Sequence, residues 1–124
     1  MSQTILVVED DQSLSQALSL KLTKEHYTVL EANDGSIGLE KALKAHPAFI
    51  ILDVIMPHMS GMEMLSKLRT DDWGSTVPVL VLTNAGNVAH SQTLASDHHA
   101  ELLIKQETTL DEIVKRIESE ISAQ

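Results

Sequence analysis

A strict alternation of two hydrophobic patterns constrains this chain more than any other feature. Five short runs of β-branched and aliphatic residues stand out: Ile5–Val8, Thr28–Ala32, Phe49–Leu52, Pro78–Leu82 and Glu101–Ile104. Most are continuously apolar, which suits strands covered on both faces, as in a parallel sheet. Between them apolar residues recur at helical spacing. Leu14, Leu18 and Leu22 run with Ala17, and Ile37, Leu39, Ala42 and Leu43 follow Asp34-Gly35. Met64, Leu65 and Leu68 follow Ser60, Val88, Leu94 and Ala95 mark a weaker stretch, and Ile113, Ile117 and Ile121 run with Leu110 and Val114. Ser13 with Gln16, Ser60 with Glu63 and Thr109 with Glu112 have capping-box spacing. Strand and helix repeated five times predict an α/β fold, a parallel sheet wound on both faces through right-handed crossovers.

The 124 residues fit one domain, taken as residues 1–124, without internal repeat or linker. With no cysteine there is neither a disulfide framework nor a thiolate zinc site. No apolar run approaches the ~20 residues that span a bilayer, and the amino terminus lacks the pattern of a signal peptide. The expected location is the cytoplasm, away from membranes. A net charge of −9 with no Lys/Arg cluster repels nucleic-acid phosphate, so no direct nucleic-acid contact is expected.

In open parallel sheets ligands bind beyond the carboxyl ends of the strands. After the first run stands Glu9-Asp10-Asp11; the third ends in Asp53, the fourth in Thr83 and the fifth in Lys105. In a sheet of order 2-1-3-4-5 the second strand is an edge, and the four chemically equipped tips are neighbours. Clustered carboxylates repel unless protonated or bridged by a cation. Mg²⁺ is the natural bridge, because it takes oxygen ligands, keeps waters and binds phosphate oxygens. One carboxylate could attack phosphorus, with Lys105 neutralising the phosphoryl oxygens and Thr83 donating to one of them.

These stretches resemble the response-regulator receiver family along almost the whole chain. The matching segments are Ile5-Leu-Val-Val-Glu-Asp-Asp11, Ile50-Ile-Leu-Asp-Val-Ile-Met-Pro57 with Gly61, Val77-Pro-Val-Leu-Val-Leu-Thr83 and Leu102-Leu-Ile-Lys105. The resemblance implies a flavodoxin-like five-stranded sheet of order 2-1-3-4-5 and a Mg²⁺-dependent switch. It implies that Asp53 accepts the phosphoryl group, Asp10 binds the metal directly and Glu9 does so through water. The main-chain carbonyl of Ile55 would complete the protein ligands, Thr83 would sense the phosphoryl group and Lys105 would pair with it. The donor would be a histidine kinase or phosphotransfer protein. The output would be a protein target at the face of helix 4, strand 5 and helix 5, read by a monomer or weak homodimer. Such a protein is a phospho-acceptor that catalyses only its own phosphorylation and dephosphorylation. It would be a stand-alone receiver or one domain of a larger regulator.

Several positions differ from the family pattern. Gln106 follows Lys105 where proline is usual, so a trans bond is expected. Leu102 stands where an aromatic switch residue is common, and Asn84 replaces a small residue after Thr83. Ile55 and Ala85 carry no group that could orient an attacking water, which predicts slow loss of the phosphoryl group. Asp11 reads as a surface residue or one at the helix start, because the register after Ile5–Val8 selects Glu9-Asp10. Pro57 and Gly61 shape the loop after Asp53. The six histidines, His58 near the site among them, show no metal-site spacing and read as solvated. Trp73 is expected to pack in the loop before the fourth strand.

Two other classes compete. A receiver-like adaptor working without phosphorylation is suggested by Asn84, Leu102 and Gln106, and opposed by the intact Asp53, Thr83 and Lys105. A small hydrolase or flavin protein of the same topology fits less well. Hydrolases of this chemistry use an Asp-x-Asp pair near the first strand, and a flavin site wants aromatics, which make up 2% of this chain.

Overall fold

The computed structural model describes residues 3–54, 59–84, 86 and 88–122. Strand β1 (Thr4–Val8) leads to α1 (Gln12–Lys24), β2 (Thr28–Ala32) to α2 (Gly35–Ala45) and β3 (Phe49–Asp53) to α3 (Gly61–Leu68). Strand β4 (Val79–Thr83) then leads to α4 (Val88–Asp97), and β5 (Glu101–Ile104) to α5 (Leu110–Ser122). All neighbouring strands pair in parallel, in the order β2-β1-β3-β4-β5 that the sequence implied. Strands β3 and β4 run one residue further than their apolar runs, so Asp53 and Thr83 are the last residues of their strands. Pro78 falls outside β4, although its carbonyl accepts from Ile50 N at 3.0 Å.

Side chains of successive strand residues point to opposite faces, and the two cores follow that parity. Ile5, Val7, Phe49, Ile51, Leu80 and Leu82 pack with Leu18 and Leu22 of α1 and Ile113, Val114 and Ile117 of α5. Leu6, Val8, Ile50, Leu52, Val79 and Val81 pack with Ala42 of α2, Met64, Leu65 and Leu68 of α3 and Ala95 of α4. Both faces of the central strands are therefore buried, which accounts for their unbroken apolar runs.

The caps adjust the sequence reading in one place. Ser60 and Thr109 cap α3 and α5 as their spacing predicts, accepting from Glu63 N and Glu112 N, both at 3.2 Å. Ser13 does not cap α1. Asp11 does, its carboxylate accepting from Ser13 N at 3.0 Å and Leu14 N at 3.3 Å. A carboxylate at this point also meets the positive end of the helix dipole. Helix α4 differs too: its inward residues are the small Ser91 and Ala95, with Val88 and Leu94 only partly covered.

Candidate functional site

The register brings the strand ends level. Val8 pairs with Leu52, Asp53 with Leu82 and Thr83 with Ile104. Glu9, Asp53 and Lys105 continue the parity of the α1/α5 face, which sends their side chains together. Glu9 N donates to Ala32 O at 2.9 Å and anchors the end of β1 to β2. Its Oε2 accepts from Asp11 N at 3.1 Å, so the acidic run folds back on itself. Behind Asp53 sits Gly61, where a β-carbon would lie 1.9 Å from the Asp53 carbonyl oxygen. Only glycine lets α3 start this close to the end of β3, and Gly61 N seals the loop by donating to Val54 O at 2.9 Å.

Glu9 and Asp53 are buried, at 2% and 6% exposure, whereas Asp10 is exposed. Lys105 Nζ lies 3.0 Å from Glu9 Oε1 and 3.2 Å from Asp53 Oδ1. One ammonium thus faces two buried carboxylates. Burial pushes the Asp53 carboxyl up to about 7, the neighbouring Glu9 charge adds to the rise, and Lys105 opposes it. Burial works to lower Lys105, but its contacts with Glu9 and Asp53 outweigh that and hold its ammonium above the usual lysine range.

The donor set fits a hard divalent cation. Ligand oxygens of Glu9, Asp10 and Asp53 all lie within 4.8 Å of one another. Glu9 Oε1 is buried and receives no directed hydrogen bond, since Lys105 meets it as a charge off the bonding direction. An all-oxygen cluster with excess negative charge and one solvent-facing member suits Mg²⁺, which retains waters.

Thr83 does not join this cluster. It lies at the neighbouring strand end, but its parity matches Val79 and Val81, and its hydroxyl faces α4. There Thr83 Oγ1 and Ser91 Oγ are 3.2 Å apart, with both residues 1% exposed. Ser91 has no counterpart in the sequence reading; a serine on the inward stripe of a weakly patterned helix was the available signal. Asn84 and Gln106, two of the positions that differ from the family pattern, meet each other: Gln106 Nε2 donates to Asn84 Oδ1 at 3.3 Å. The Lys105–Gln106 bond is trans, as expected, and Leu102 is partly buried against the α2–α4 core. Ile55, Pro57, His58 and Ala85, each named from the sequence, lie outside the described residues.

The doubly wound sheet thus carries a carboxylate cluster and a lysine beyond the carboxyl ends of its strands, where ligands of such sheets bind. Residues 5–118 match the response regulator receiver domain, and the chain belongs to that family, the receivers of two-component systems. It is 33% identical over 120 residues to response regulator ArlR of Staphylococcus epidermidis, covering 97% of this chain and 53% of that protein. The chain thus spans about half the length of the curated relatives it matches. The solved structure of the chemotaxis response regulator CheY4 of Vibrio cholerae is 30% identical, with a TM-score of 0.87 over 97% of this chain and 99% of that one. A receiver domain protein of Methanospirillum hungatei shares the fold at 20% identity and a TM-score of 0.89, over 99% and 96% of the two chains.

Proposed function

We propose that this receiver is a phosphorylation switch in which Asp53 accepts a phosphoryl group from a histidine kinase or phosphotransfer protein. The observation that carries the reading is the position of Asp53: buried at a strand end, 3.2 Å from Lys105 and beside two further carboxylates. An Asp53 oxygen attacks phosphorus as the bond to the donor imidazole nitrogen breaks, and the imidazole leaves with that electron pair. Lys105 stays beside the new acyl phosphate and balances its oxygens. Asp10 and Asp53 would hold Mg²⁺ directly and Glu9 through water, the family's remaining protein ligand being the Ile55 carbonyl. When bound, the ion neutralises the pocket and the phosphoryl oxygens. Asp53 must be ionised to attack, in a pocket where burial disfavours that form and Lys105 favours it.

The chain acts on no separate substrate in this reading. It catalyses only its own phosphorylation and dephosphorylation, in the cytoplasm. Phosphorylation favours one of two pre-existing states, and a protein partner reads the difference at the face of α4, β5 and α5. Acetyl phosphate with Mg²⁺ should add one phosphoryl group to the intact mass. Omitting Mg²⁺, or replacing Asp53 by Asn, should abolish the adduct; an adduct surviving in D53N would place the acceptor elsewhere.

A further inference from the structure

Strand parity sets Thr83 apart from the pocket it is meant to serve. Glu9, Asp53 and Lys105 continue the α1/α5 face, and Thr83 continues the other. Its hydroxyl is occupied, shared with Ser91 of α4 at 3.2 Å. Its other contact, to Asn84 O at 3.4 Å, is long. Nothing of the pair reaches water, since both residues are 1% exposed. A buried hydroxyl without a partner is costly, so the bond holds Thr83 where it is.

We propose that Ser91 is a positioning residue for the switch: its hydroxyl holds Thr83 against α4 in the resting domain, and activation exchanges that bond for one to a phosphoryl oxygen on Asp53. This rests on the phospho-acceptor reading above. The exchange leaves Ser91 buried without its partner, so α4 must shift or turn to satisfy it. The weak apolar pattern of α4 permits this, because its inward side chains are small and give up little packing as they move. Ser91 therefore sets the resting population of the switch and ties α4 to the state of Thr83.

Beryllofluoride with Mg²⁺ serves as the stable phosphoryl mimic, its affinity read by titration. Ala is the better helix former, so Ser91→Ala retains the fold, which a urea melt checks. Removing the resting-state bond should tighten beryllofluoride binding about fivefold, the equivalent of one hydrogen bond. In a Thr83→Ala background, where binding is weaker, the same substitution should change affinity less than twofold, because the bond is already gone. A wild-type chain that binds beryllofluoride, with Ser91→Ala unchanged or weaker, overturns this inference alone. So does an equal gain in both backgrounds, which would make Ser91 a packing residue. A wild-type chain that takes no beryllofluoride brings down the phospho-acceptor reading as well.

Discussion

The two ends of the sheet solve the problem of buried polar groups in opposite ways. At the amino end, Arg69 reaches from the end of α3 and spreads its guanidinium over backbone carbonyls. Its Nε donates to His98 O at 2.8 Å, and its Nη1 to Gly74 O at 2.7 Å and Val77 O at 2.8 Å. Nη2 adds a longer bond to His99 O at 3.4 Å. The one cation ties together the chain ahead of β4 and ahead of β5. At the carboxyl end Lys105 is divided between two buried carboxylates, and Glu9 Oε1 is left without a directed donor. At the first end the cation's donors are met by neutral carbonyls. The second is short of positive charge, and that shortage is what a divalent ion and a phosphoryl group can use. On the proposed function, stability and switching then fall at opposite ends of the same strands.

If the amino end is structural, losing Arg69 should have the largest effect on folding. Arg69→Met keeps much of the aliphatic stem but takes away the donors to the His98, Gly74 and Val77 carbonyls. Charge-assisted hydrogen bonds are worth about 1.5–3 kcal/mol each and are not additive, so a loss of about 3–5 kcal/mol is expected in urea unfolding. Mg²⁺ affinity of the folded fraction should stay within twofold. A large loss of metal binding at unchanged stability would break the division of labour.

The opposite sign is expected at the carboxyl end. Asp53 carries a raised carboxyl, about 7 against an ordinary 3.8. Between those values the native state holds a proton that the unfolded state has released. Native stability therefore falls as pH rises from about 4 to about 7, then levels off. Lys105, raised as well, contributes stability throughout that window and loses it only above the usual lysine range. Metal-free protein should accordingly lose stability between pH 4 and pH 8. Asp53→Asn should remove about 2–4 kcal/mol of that loss, and saturating Mg²⁺ should flatten it in the wild type. A wild-type curve rising over this interval would contradict the raised carboxyl.

Gly61 links framework and pocket. A β-carbon there would strike the Asp53 carbonyl oxygen, a backbone atom that cannot swing aside. Gly61→Ala should cost about 1–3 kcal/mol through overpacking, and it should also weaken Mg²⁺ binding, because the strain falls on Asp53, a member of the carboxylate cluster. Calorimetry of the metal and urea melts on the same variant read both effects. Lost stability with unaltered metal affinity would show that the loop absorbs the strain away from Asp53.

The sheet was legible because its evidence is redundant: unbroken apolar runs, helical stripes and turn residues all point to one order of elements. The carboxylates and Lys105 were legible because a strand's end is set by where its apolar run stops. Thr83 shows the limit of that reasoning. Placing residues at neighbouring strand ends does not say which face each side chain takes, and the face depends on strand boundaries read to a single residue. The fourth run was placed as Pro78–Leu82 and the strand is Val79–Thr83. The cap of α1 was only half legible for a related reason: Ser13 and Asp11 both suit a helix start, and only the backbone decides between them. Ser91 could not be weighed at all without knowing which stripe of α4 faces inward.

Trp73 gives the smallest test, and one that separates the two ends by spectroscopy. It stacks on His46 with ring centroids 4.3 Å apart and planes 5° from parallel. His46 ends α2 in the left-handed region, with φ of 50°. Both residues lie ahead of strands, at the amino end, whereas the carboxylate cluster lies beyond their carboxyl ends. His46→Ala removes the stack and keeps the backbone cost, for an expected loss of about 1 kcal/mol. His46→Gly removes the same stack but relieves the left-handed conformation, by a similar amount. Its stability should therefore stay near that of the wild type, although both variants alter Trp73 emission. Mg²⁺, bound at the far end, should leave that emission unchanged in all three proteins. Quenching by Mg²⁺ that persists in D53N would put a cation near Trp73, and the amino end could no longer be treated as purely structural.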